Sequence, residues 1–537
     1  MGWPEAVTRS RRAETHFGGR AMRCFADRPA TVTAMVARST ARDRTATALI
    51  TDTTRLSYAD LDTRVERVAG NLAARGVIRG DRVAIILGNR PEFLFLILAC
   101  CRLGAIAVPM GTRMKRPEYD HVLTHSGARM LIHEAALAAE IPTAAGLEAR
   151  FVCGGPALGA EEFTALLAPT ATTAAPDADI GAEDPAVILY TSGTTGRPKG
   201  AILTHLGLVH SALHFARCWR LGPEDRCVLA VPASHVTGLV AILLTMLGCG
   251  GATIIMPEFH ARDFLELAAG ERATATLMVP AMYNLCLRDP ALARFDLSPW
   301  RVGGYGGAPM PEATIAALAE RLPGLVLVNA YGATETTSPA TIMPLGATAG
   351  HADSVGRVVP CGALRVVDDA GREVAPGNSG EIEIAGPMVI PGYWNDETAN
   401  RANFRDGYWI SGDIGSIDAD GFVRIHDRKK DMINRAGYKV YSAEVENVLS
   451  RHPDIVECAV VARPDPVLGE RVHAYVVTRE AGLDEAALRA FCAARLADYK
   501  VPETIARIED GLPRNANGKV RKAVLRDRLA RESPRQA

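Results

Sequence analysis

The residues with the clearest chemical potential form one short segment, Tyr190–Gly200, which reads Y-T-S-G-T-T-G-R-P-K-G. Its three glycines permit a backbone that can approach a ligand closely. Its hydroxyl groups and backbone N–H groups can donate hydrogen bonds to phosphate oxygens, and Arg197 and Lys199 add positive charge. An ordinary surface turn rich in Ser, Thr and Gly has a similar composition but rarely combines it with two cations and a preceding buried strand. The segment therefore predicts a polyphosphate-binding loop.

Other common motifs of phosphate and hydrolytic chemistry do not fit the sequence. A Walker A loop is excluded because Pro198 precedes Lys199 and Gly200 follows it. The sequence has no G-x-G-x-x-G directly after a strand, no G-x-S-x-G elbow and no H-E-x-x-H motif. His210 and His214 are four residues apart and could share a helix face, but no third ligand lies nearby in the sequence to complete a metal site.

The elements around this loop predict an α/β fold with largely parallel sheets, because short apolar runs alternate with helical patterns. The loop follows an apolar run at 186–189, and Thr204 is placed to cap the next helix. The predicted strands are Val83–Leu87, Ala186–Tyr190, Cys227–Ala230, Ala252–Met256, Thr276–Val279 and Leu325–Asn329. The clearest predicted helices are Tyr58–Arg75, Glu92–Leu103 and Glu312–Arg321.

The stretch Val231–Pro257 lacks Asp, Glu, Lys and Arg and is long enough to span a membrane. Its glycines and flanking prolines instead favour a buried helix at about 238–247, a turn and a buried strand at Ala252–Met256. The first 45 residues contain no apolar run typical of a secretory signal. We therefore expect a protein without a membrane span.

Composition limits the class of protein further. Sixty basic and 61 acidic residues give a formal net charge of −1, which provides no global field for binding nucleic acid. The 11 cysteines are scattered among 537 residues without zinc-ligand spacing, so reduced thiols in a cytoplasm are the default expectation.

The chain also indicates two domains. A Pro/Ala/Thr-rich stretch at Ala168–Asp184 is typical of a loop or linker. After Ser354, alternating segments at Leu364–Val367 and Glu381–Ala385 predict a small β-rich subdomain. Five consecutive charges at Asp427–Asp431 then favour a hinge. We predict a large N-terminal α/β domain with this β-rich subdomain over 1–427 and a small mobile α+β domain over 428–537.

Several motifs in order make the sequence resemble the adenylate-forming superfamily, which includes acyl- and aryl-CoA synthetases, nonribosomal peptide synthetase adenylation domains and beetle luciferases. The phosphate loop is the first of them, and together they span positions 190–519. The others are Gly306-Gly307-Ala308-Pro309, Tyr331-Gly332-Ala333-Thr334-Glu335, Ser411-Gly412-Asp413, the Arg428–Glu446 stretch and Pro513-Arg514-Asn515-Ala516-Asn517-Gly518-Lys519.

The resemblance implies a two-step reaction. A carboxylate attacks the α-phosphate of ATP, with Mg²⁺ as cofactor, to give an acyl adenylate and pyrophosphate. A thiol, usually that of CoA, then displaces AMP after the C-terminal domain has rotated to present another face. The implied partners are therefore a small carboxylic acid, ATP and CoA, without nucleic acid, and the resemblance is compatible with a homodimer.

The resemblance also implies roles for individual ATP-site residues. Glu335 takes the position of the Mg²⁺ ligand, which suits a cation that prefers oxygen donors. Lys519 is implied to bridge the carboxylate and the α-phosphate, where a preorganised ammonium could contribute about 3–4 kcal/mol to catalysis. Asp413 and Arg428 are implied to bind the ribose. The residues implied to contact the phosphates are Thr191, Ser192, Gly193, Thr194, Thr195, Lys199 and Thr334. Those implied around the adenine are Gly306, Gly307, Ala308, Pro309 and Tyr331, and Gly332 is implied to bind ATP.

Two further segments resemble parts of the C-terminal domain. Lys430 matches the hinge position, and Gly437 and Tyr438 match the segment that closes over the pantetheine of CoA. Asn434 stands where luciferases carry a lysine used in oxidation, which disfavours a light-emitting enzyme.

The acyl site is implied around His235, which resembles the gate between the ATP and acyl sites, although a buried structural histidine is the alternative. No Asp lies between Asp225 and Asp263 to bind a substrate amine, so an α-amino acid is disfavoured. The other candidate pocket residues are apolar, small or tyrosine: Gly238, Leu239, Met278, Pro280, Tyr283, Gly304, Tyr305 and Thr337. We hypothesise that Tyr305 shortens the pocket and favours medium-chain aliphatic or aryl acids.

Three functions stay open from the sequence. The first is a carboxylate–CoA ligase that forms AMP. The second is a stand-alone adenylating enzyme that loads a separate carrier protein. The third is a nucleotide-binding regulatory protein that has lost catalysis, against which Glu335, Asp413 and Lys519 together argue.

Overall fold

A computed structural model describes residues 3–142, 146–170, 179–191, 198–479, 484–514 and 520–532. The chain forms two compact units. Unit 1 consists of Met1–Leu364, Glu383–Ile410 and Asp420–Val423, and unit 2 of Arg365–Ile382, Ser411–Ala419 and Arg424–Ala537. A single domain boundary between residues 427 and 428 stays a prediction.

Unit 1 contains a seven-stranded sheet that ends in the strands on either side of the predicted phosphate loop. The strands Pro185–Thr191 and Lys199–Thr204 pair antiparallel, and the other neighbouring strands of this sheet pair parallel. A core of buried residues that includes Ile188, Val108 and Leu131 packs this sheet against the helix Arg116–Ser126. The strand order is Lys199–Thr204, Pro185–Thr191, Ile106–Pro109, Arg82–Ile86, Met130–Glu134, Ala149–Cys153 and Glu161–Glu162.

A nine-stranded sheet in unit 1 carries the other predicted ATP motifs. Its central strands are parallel, as their apolar composition and intervening helices predict. One face packs in a core with the helices Ala261–Gly270, Pro280–Arg288 and Glu312–Arg321. The strand order is Arg357–Val358, Thr341–Ile342, Val326–Tyr331, Val302–Gly306, Ala275–Met278, Arg226–Leu229, Ala252–Ile255, Thr47–Ile50 and Arg55–Ser57.

The helix after the phosphate loop is His205–Cys218, and it begins where the sequence predicts. The Thr204 side chain accepts a hydrogen bond from the Gly207 N–H, which caps the first turn. In the uncharged stretch Val231–Pro257, the structure differs from the predicted single helix at about 238–247. A π-helical segment, Thr237–Leu244, precedes the α-helix Thr245–Cys249. The other α-helices described in unit 1 are Glu5–Thr8, Val32–Arg42, Tyr58–Ala74, Pro91–Leu103, Thr164–Leu167 and Glu397–Asn403.

Three buried histidines of the helix His205–Cys218 accept hydrogen bonds from backbone N–H groups elsewhere in unit 1. Each bond is 3.3 Å long; the pairs are Val32 N to His205 Nδ1, Phe25 N to His210 Nε2 and Cys361 N to His214 Nε2. Burial lowers the pKa of His205 to about 4 and of His210 to about 3, and it places the pKa of His214 well below its ordinary value. The neutral rings of His210 and His205 attach a hairpin of two strands, Arg11–His16 and Arg20–Phe25, and the following helix to the body of the unit, and the ring of His214 holds the backbone at Cys361.

The C-terminal part of unit 2 is an α+β sandwich. Its helices Ser442–Leu449 and Glu485–Ala493 pack in one core and the helix Lys522–Glu532 in another. The long strands Ile455–Asp465 and Gly469–Thr478 contribute alternate residues to both cores, as in Val460 and Val461. The sheet order is Tyr438–Val440, Ile433–Arg435, Gly469–Thr478 and Ile455–Asp465, with Thr504–Arg507 parallel to Gly469–Thr478.

The β-rich region predicted after Ser354 contains the strands Ala363–Val367, Gly380–Ala385, Phe404–Arg405, Tyr408–Ile417 and Val423–Arg428. The fold class is therefore α/β in the large N-terminal part and α+β at the C-terminus, as predicted. Within the described ranges, no helix combines the length and apolarity that crossing a membrane would require.

Candidate active site

Two adjacent parallel strands bring the predicted adenine-site segments together in unit 1. The strand Val302–Gly306 pairs with Val326–Tyr331, with Gly306 opposite Ala330. A Cβ on Gly306 would lie 2.4 Å from the Ala330 oxygen, so this approach requires glycine. The exposed turn at 307–309 and the half-buried Tyr331 therefore leave the same edge of the sheet side by side.

Glu335 lies in a short 3₁₀ turn, Thr334–Thr336, directly beyond this edge. The buried Thr336 hydroxyl fixes the turn, because it accepts a hydrogen bond from the Ala333 N–H at 2.9 Å. The Tyr393 hydroxyl donates a hydrogen bond to the Glu335 Oε1 at 3.0 Å. Burial, followed by the neighbouring Glu335 carboxylate, raises the pKa of Tyr393 well above its ordinary value, so this phenol stays a donor.

Tyr393 also contacts the predicted phosphate-binding lysine. The Lys199 Nζ lies 5.0 Å from the centroid of the Tyr393 ring, within the range of a cation–π interaction. One buried tyrosine thus contacts both Glu335 and Lys199, which are 136 positions apart in the numbering (335 minus 199). Sequence reasoning missed Tyr393, and the available signal was the Gly392-Tyr393-Trp394 run in a segment otherwise interpreted only as β-rich.

The backbone around Tyr393 connects the same two elements. The Ile390 N–H donates to the backbone carbonyl oxygen of Glu335 at 3.0 Å, and the Trp394 N–H donates to the backbone carbonyl oxygen of Gly200 at 2.7 Å. The segment at 390–394 therefore bridges the Glu335 turn and the strand that begins at Lys199.

The donor chemistry of Glu335 fits Mg²⁺. A single carboxylate beside a polyphosphate site is the usual protein contribution to a cation that also takes phosphate and water oxygens. The Glu335 carboxylate would hold the ion, which supplies positive charge against the phosphates when bound.

Part of the predicted phosphate site lies outside the described residues: Ser192, Gly193, Thr194 and Thr195, together with the C-terminal Lys519. Thr191 is the last residue of the strand Pro185–Thr191 and is half-buried. The roles of all these residues stay predictions.

His235 is half-buried in the turn before the π-helical segment. The approach to this turn is held by Asn89, a buried residue that sequence reasoning missed. The Asn89 amide donates to the Val231 and Met256 oxygens at 3.1 and 2.9 Å, and its oxygen accepts from the Ala233 N–H at 2.8 Å. Asn89 thereby fixes the segment leading to the candidate gate.

The candidate acyl residues on the strand Val302–Gly306 face opposite sides of the sheet. Gly304 faces Trp219, whereas Tyr305 lies in the core that also contains Tyr283. The Tyr283 hydroxyl donates to the Gly304 oxygen at 2.7 Å. Burial raises the pKa of Tyr305 to about 12.

The other acyl candidates are also buried. A Cβ on Gly238 would lie 2.3 Å from the Pro232 oxygen, so a structural reason for this glycine exists beside any role in binding. Leu239 is fully buried. Thr337 adopts a left-handed conformation with φ of 49°, and its buried hydroxyl has no hydrogen-bond partner among the described residues.

Unit 2 brings the two ribose candidates together. The Arg428 Nε lies 2.9 Å from the Asp413 Oδ1, and the Arg428 Nη1 donates to the Ser411 oxygen at 3.0 Å. Asp413 is buried at 6% exposure, and its backbone N–H bonds the Ser411 hydroxyl. The arrangement presents a guanidinium and a carboxylate next to each other, a pair suited to diol hydroxyls.

The remaining candidates of unit 2 lie nearby in sequence. Burial lowers the pKa of Lys430, the predicted hinge residue. Gly437 has a φ of 90°, which favours glycine, and Tyr438 is exposed and stacks on Tyr499 at 4.6 Å between ring centroids.

The fold and these motifs define an adenylate-forming enzyme. Residues 36–394 match the AMP-binding enzyme family, and residues 444–519 match the AMP-binding enzyme C-terminal domain. The chain therefore belongs to the AMP-binding enzyme family, and the prediction of an AMP-forming acid–thiol ligase is confirmed.

Named relatives cover nearly the whole chain. A feruloyl-CoA synthase from Amycolatopsis is 37% identical over 90% of this chain and 96% of that protein. The long-chain-fatty-acid–CoA ligase FadD13 from Mycobacterium tuberculosis is 34% identical over 90% of this chain and 94% of that protein. The fatty acid–[acyl-carrier-protein] ligase ScoC from Streptomyces coeruleorubidus is 34% identical over 90% of this chain and 93% of that protein.

The fold is also similar to solved structures of the family. The crystal structure of ATP-bound MatB from Rhodopseudomonas palustris superimposes with a TM-score of 0.84 at 33% identity. The match covers 93% of this chain and 99% of that one.

Proposed function

We propose that this protein is a carboxylate–CoA ligase that activates an aryl or medium-chain aliphatic monocarboxylic acid with Mg·ATP. The observation that carries the proposal is the meeting of Lys199 and Glu335 at Tyr393, beyond the sheet edge that carries the residues 306–309 and Tyr331. An ammonium for phosphate oxygens and a carboxylate for the ATP-bound cation are what α-phosphate activation needs.

The proposed reaction has two balanced steps. A carboxylate oxygen of the acid attacks the α-phosphorus, and the bond to the pyrophosphate oxygen breaks to give acyl-AMP and pyrophosphate. The CoA thiol, after losing its proton, then attacks the acyl carbon and expels AMP, which leaves the thioester. In this proposal Lys199 binds the pyrophosphate end, Asp413 and Arg428 bind the ribose, and Lys519 stabilises charge on the α-phosphate during the first step only.

The character of the candidate acyl residues supports an uncharged acyl group. Leu239, Tyr283, Tyr305 and Thr337 are buried and bear no formal charge, and Gly304 adjoins the Trp219 indole. A second charge on the acid would be desolvated there without a counter-ion among these residues. Feruloyl-CoA synthase is named for an aryl acid, which falls in the proposed range, whereas FadD13 is named for long-chain fatty acids, which are longer than the proposed aliphatic acids.

The thiol acceptor has a second candidate. ScoC is named as an acyl-carrier-protein ligase, and it is as similar to this chain as FadD13 is. An enzyme that loads the pantetheine of a separate carrier protein therefore remains the alternative.

A panel of carboxylic acids tests the proposal. We expect acid-dependent ATP–pyrophosphate exchange, hydroxamate formation with hydroxylamine, and thioester formation with free CoA for aryl and medium-chain acids. Thioester formation only with a phosphopantetheinylated carrier would select the alternative. A purified protein that never converts ATP to AMP with any acid would overturn both.

A cytoplasmic location and a homodimeric state belong to the same proposal. All eleven cysteines are free thiols, which suits a reducing compartment. Fractionation and light scattering test the two statements separately.

A further inference from the structure

We propose that Tyr393 is a positioning residue that sets the Glu335 carboxylate and the Lys199 ammonium for Mg·ATP. This inference rests on the proposed function and adds to it a residue that neither the sequence motifs nor the family resemblance indicates. Tyr393 acts through these two neighbours rather than on the substrate.

The hydroxyl group of Tyr393 orients the carboxylate. It donates to the Glu335 Oε1 at 3.0 Å, and the Ile390 N–H holds the Glu335 backbone oxygen at 3.0 Å. The side chain and the backbone of Glu335 are thus both held by one segment. A carboxylate fixed in this way can meet a phosphate-bound cation without first losing rotamer freedom.

The ring of Tyr393 contacts the lysine. The Lys199 Nζ lies 5.0 Å from the ring centroid, and Ala201, two residues further along the same strand, forms an antiparallel bridge with Tyr393. The Lys199 side chain therefore has an apolar, electron-rich surface beside it.

The backbone of Tyr393 is itself held rigidly. The Asn400 Oδ1 accepts the Tyr393 N–H at 2.6 Å, and the Asn400 amide donates to the Tyr393 oxygen at 3.3 Å. Arg20 of the N-terminal hairpin supports the segment from another side, because its guanidinium donates to the Pro391 oxygen at 2.9 Å and to the Ile390 oxygen at 3.3 Å. Because these hydrogen bonds hold its backbone, Tyr393 can fix the positions of the Glu335 carboxylate and the Lys199 ammonium.

Two substitutions separate the hydroxyl from the ring. Tyr393→Phe removes only the hydroxyl, and Tyr393→Leu removes the aromatic ring as well. Tyr58→Phe is the matched control, because Tyr58 is equally buried and its hydroxyl donates to a backbone oxygen, that of Gly251 at 2.9 Å. ATP binding is measured by calorimetry with Mg²⁺ and with EDTA, and the Mg²⁺ dependence of ATP–pyrophosphate exchange is measured beside it.

For Tyr393→Phe we expect about tenfold weaker ATP binding with Mg²⁺ and unchanged binding in EDTA, the scale of one hydrogen bond to a charged group. The exchange reaction should need more Mg²⁺ for half-saturation and recover at high Mg²⁺. Tyr393→Leu should also weaken binding in EDTA, because the Lys199 position then changes. Tyr58→Phe should change neither quantity.

Wild-type Mg²⁺ dependence in Tyr393→Phe, or an equal effect of Tyr58→Phe, would overturn the inference. If the wild-type protein shows no exchange with any acid, the proposed function fails alone. The calorimetry then decides the role of Tyr393, which is supported by weaker ATP binding of Tyr393→Phe with Mg²⁺ but not in EDTA, and overturned by wild-type binding under both conditions. Failure of the wild-type protein to bind ATP at all would overturn both.

Discussion

The indole ring of Trp219 packs directly against the backbone of Gly304, so that a Cβ on Gly304 would lie 2.4 Å from the Trp219 Cη2. Trp219 is fully buried and packs edge-on against Phe215, with 5.1 Å between the ring centroids. The indole therefore has little freedom to move away, and Gly304 is fixed by packing rather than by its backbone conformation.

We predict that Gly304→Ala lowers the free energy of unfolding by about 1–3 kcal/mol, the usual cost of overpacking a rigid core. Trp219→Phe, which shortens the ring, should remove most of this cost, so the two substitutions should couple by at least about 1 kcal/mol in a double-mutant cycle. Urea denaturation measures both. Gly270→Ala, at the end of a helix with no atom within 4 Å of the added Cβ, is the neutral control. Additive effects of the two substitutions would contradict the packing argument.

The strand that contains Gly304 also contains Tyr305, on which the hypothesis about the length of the acyl chain depends. Tyr305→Ala should shift the preferred acid toward longer chains if the Tyr305 ring limits the pocket, as measured by ATP–pyrophosphate exchange over a series of acids. Tyr305 and Trp219 lie on opposite faces of the strand. A shift in Trp219→Phe with none in Tyr305→Ala would therefore move the limiting role to the indole.

The ion pair of Asp413 and Arg428 makes a prediction about the ribose. Asp413→Asn should weaken ATP binding about 10- to 100-fold, the scale of charge-assisted hydrogen bonds. If Asp413 binds the diol, 2′-deoxy-ATP should lose affinity against ATP in the wild-type protein and lose much less in Asp413→Asn. An equal loss for 2′-deoxy-ATP in both proteins would show that Asp413 does not contact that hydroxyl.

The two half-reactions should depend on different residues of the C-terminal region. Lys519→Ala should abolish acyl-adenylate formation, yet retain thioester formation from supplied acyl-AMP and CoA. Gly437→Leu should show the opposite pattern, because a side chain there would enter the proposed pantetheine path and strain a φ of 90°. Stopped-flow product analysis of each half-reaction checks both, and equal loss of the two steps in Lys519→Ala would contradict a two-face mechanism.

The buried histidines predict acid sensitivity. Since burial lowers the pKa of His205 to about 4 and of His210 to about 3, both are neutral in the folded protein, whereas the unfolded chain takes up protons first as the pH falls. Stability is therefore full above the unfolded pKa of about 6.5 and falls below it by about 1.4 kcal/mol per pH unit for each histidine. Urea midpoints between pH 7.5 and 4 measure the slope.

A substitution isolates one of these groups. His210→Gln should be less stable at pH 7.5, because the Phe25 N–H loses its ring acceptor, but its stability should fall less steeply with acid. His260→Gln, at an exposed position of the same unit, is the control and should retain the wild-type slope. An unchanged slope in His210→Gln would assign the acid sensitivity to other groups.

Regular elements were accessible from the sequence because their signals are local. The helix Glu312–Arg321 has the predicted bounds, and the predicted strand Ala252–Met256 differs from the observed Ala252–Ile255 by one residue. The Thr204 cap was predictable for the same reason. The π-helical segment Thr237–Leu244 was not predictable. Its buried residues are apolar on every side, so the sequence shows no period that distinguishes a π-helix from an α-helix.

The candidate site was predictable only where motifs carry it. Glu335 and Lys199 follow from short motifs, but the contact of both with Tyr393 depends on chain segments that meet only in the folded protein. The same applies to Asn89, whose hydrogen bonds reach residues about 140 to 167 positions away along the chain, so no local pattern could reveal them.

Unit 2 is built from three separate stretches of chain, and this has a consequence for folding during synthesis. The polypeptide enters this unit at Arg365, leaves it after Ile382, returns for Ser411–Ala419 and completes it only from Arg424 onward. On a ribosome that delivers residues in order, unit 1 is complete once Val423 has emerged, whereas unit 2 still lacks its largest stretch. The early stretches of unit 2 must wait, unpaired with most of their own unit, until the carboxyl-terminal residues emerge.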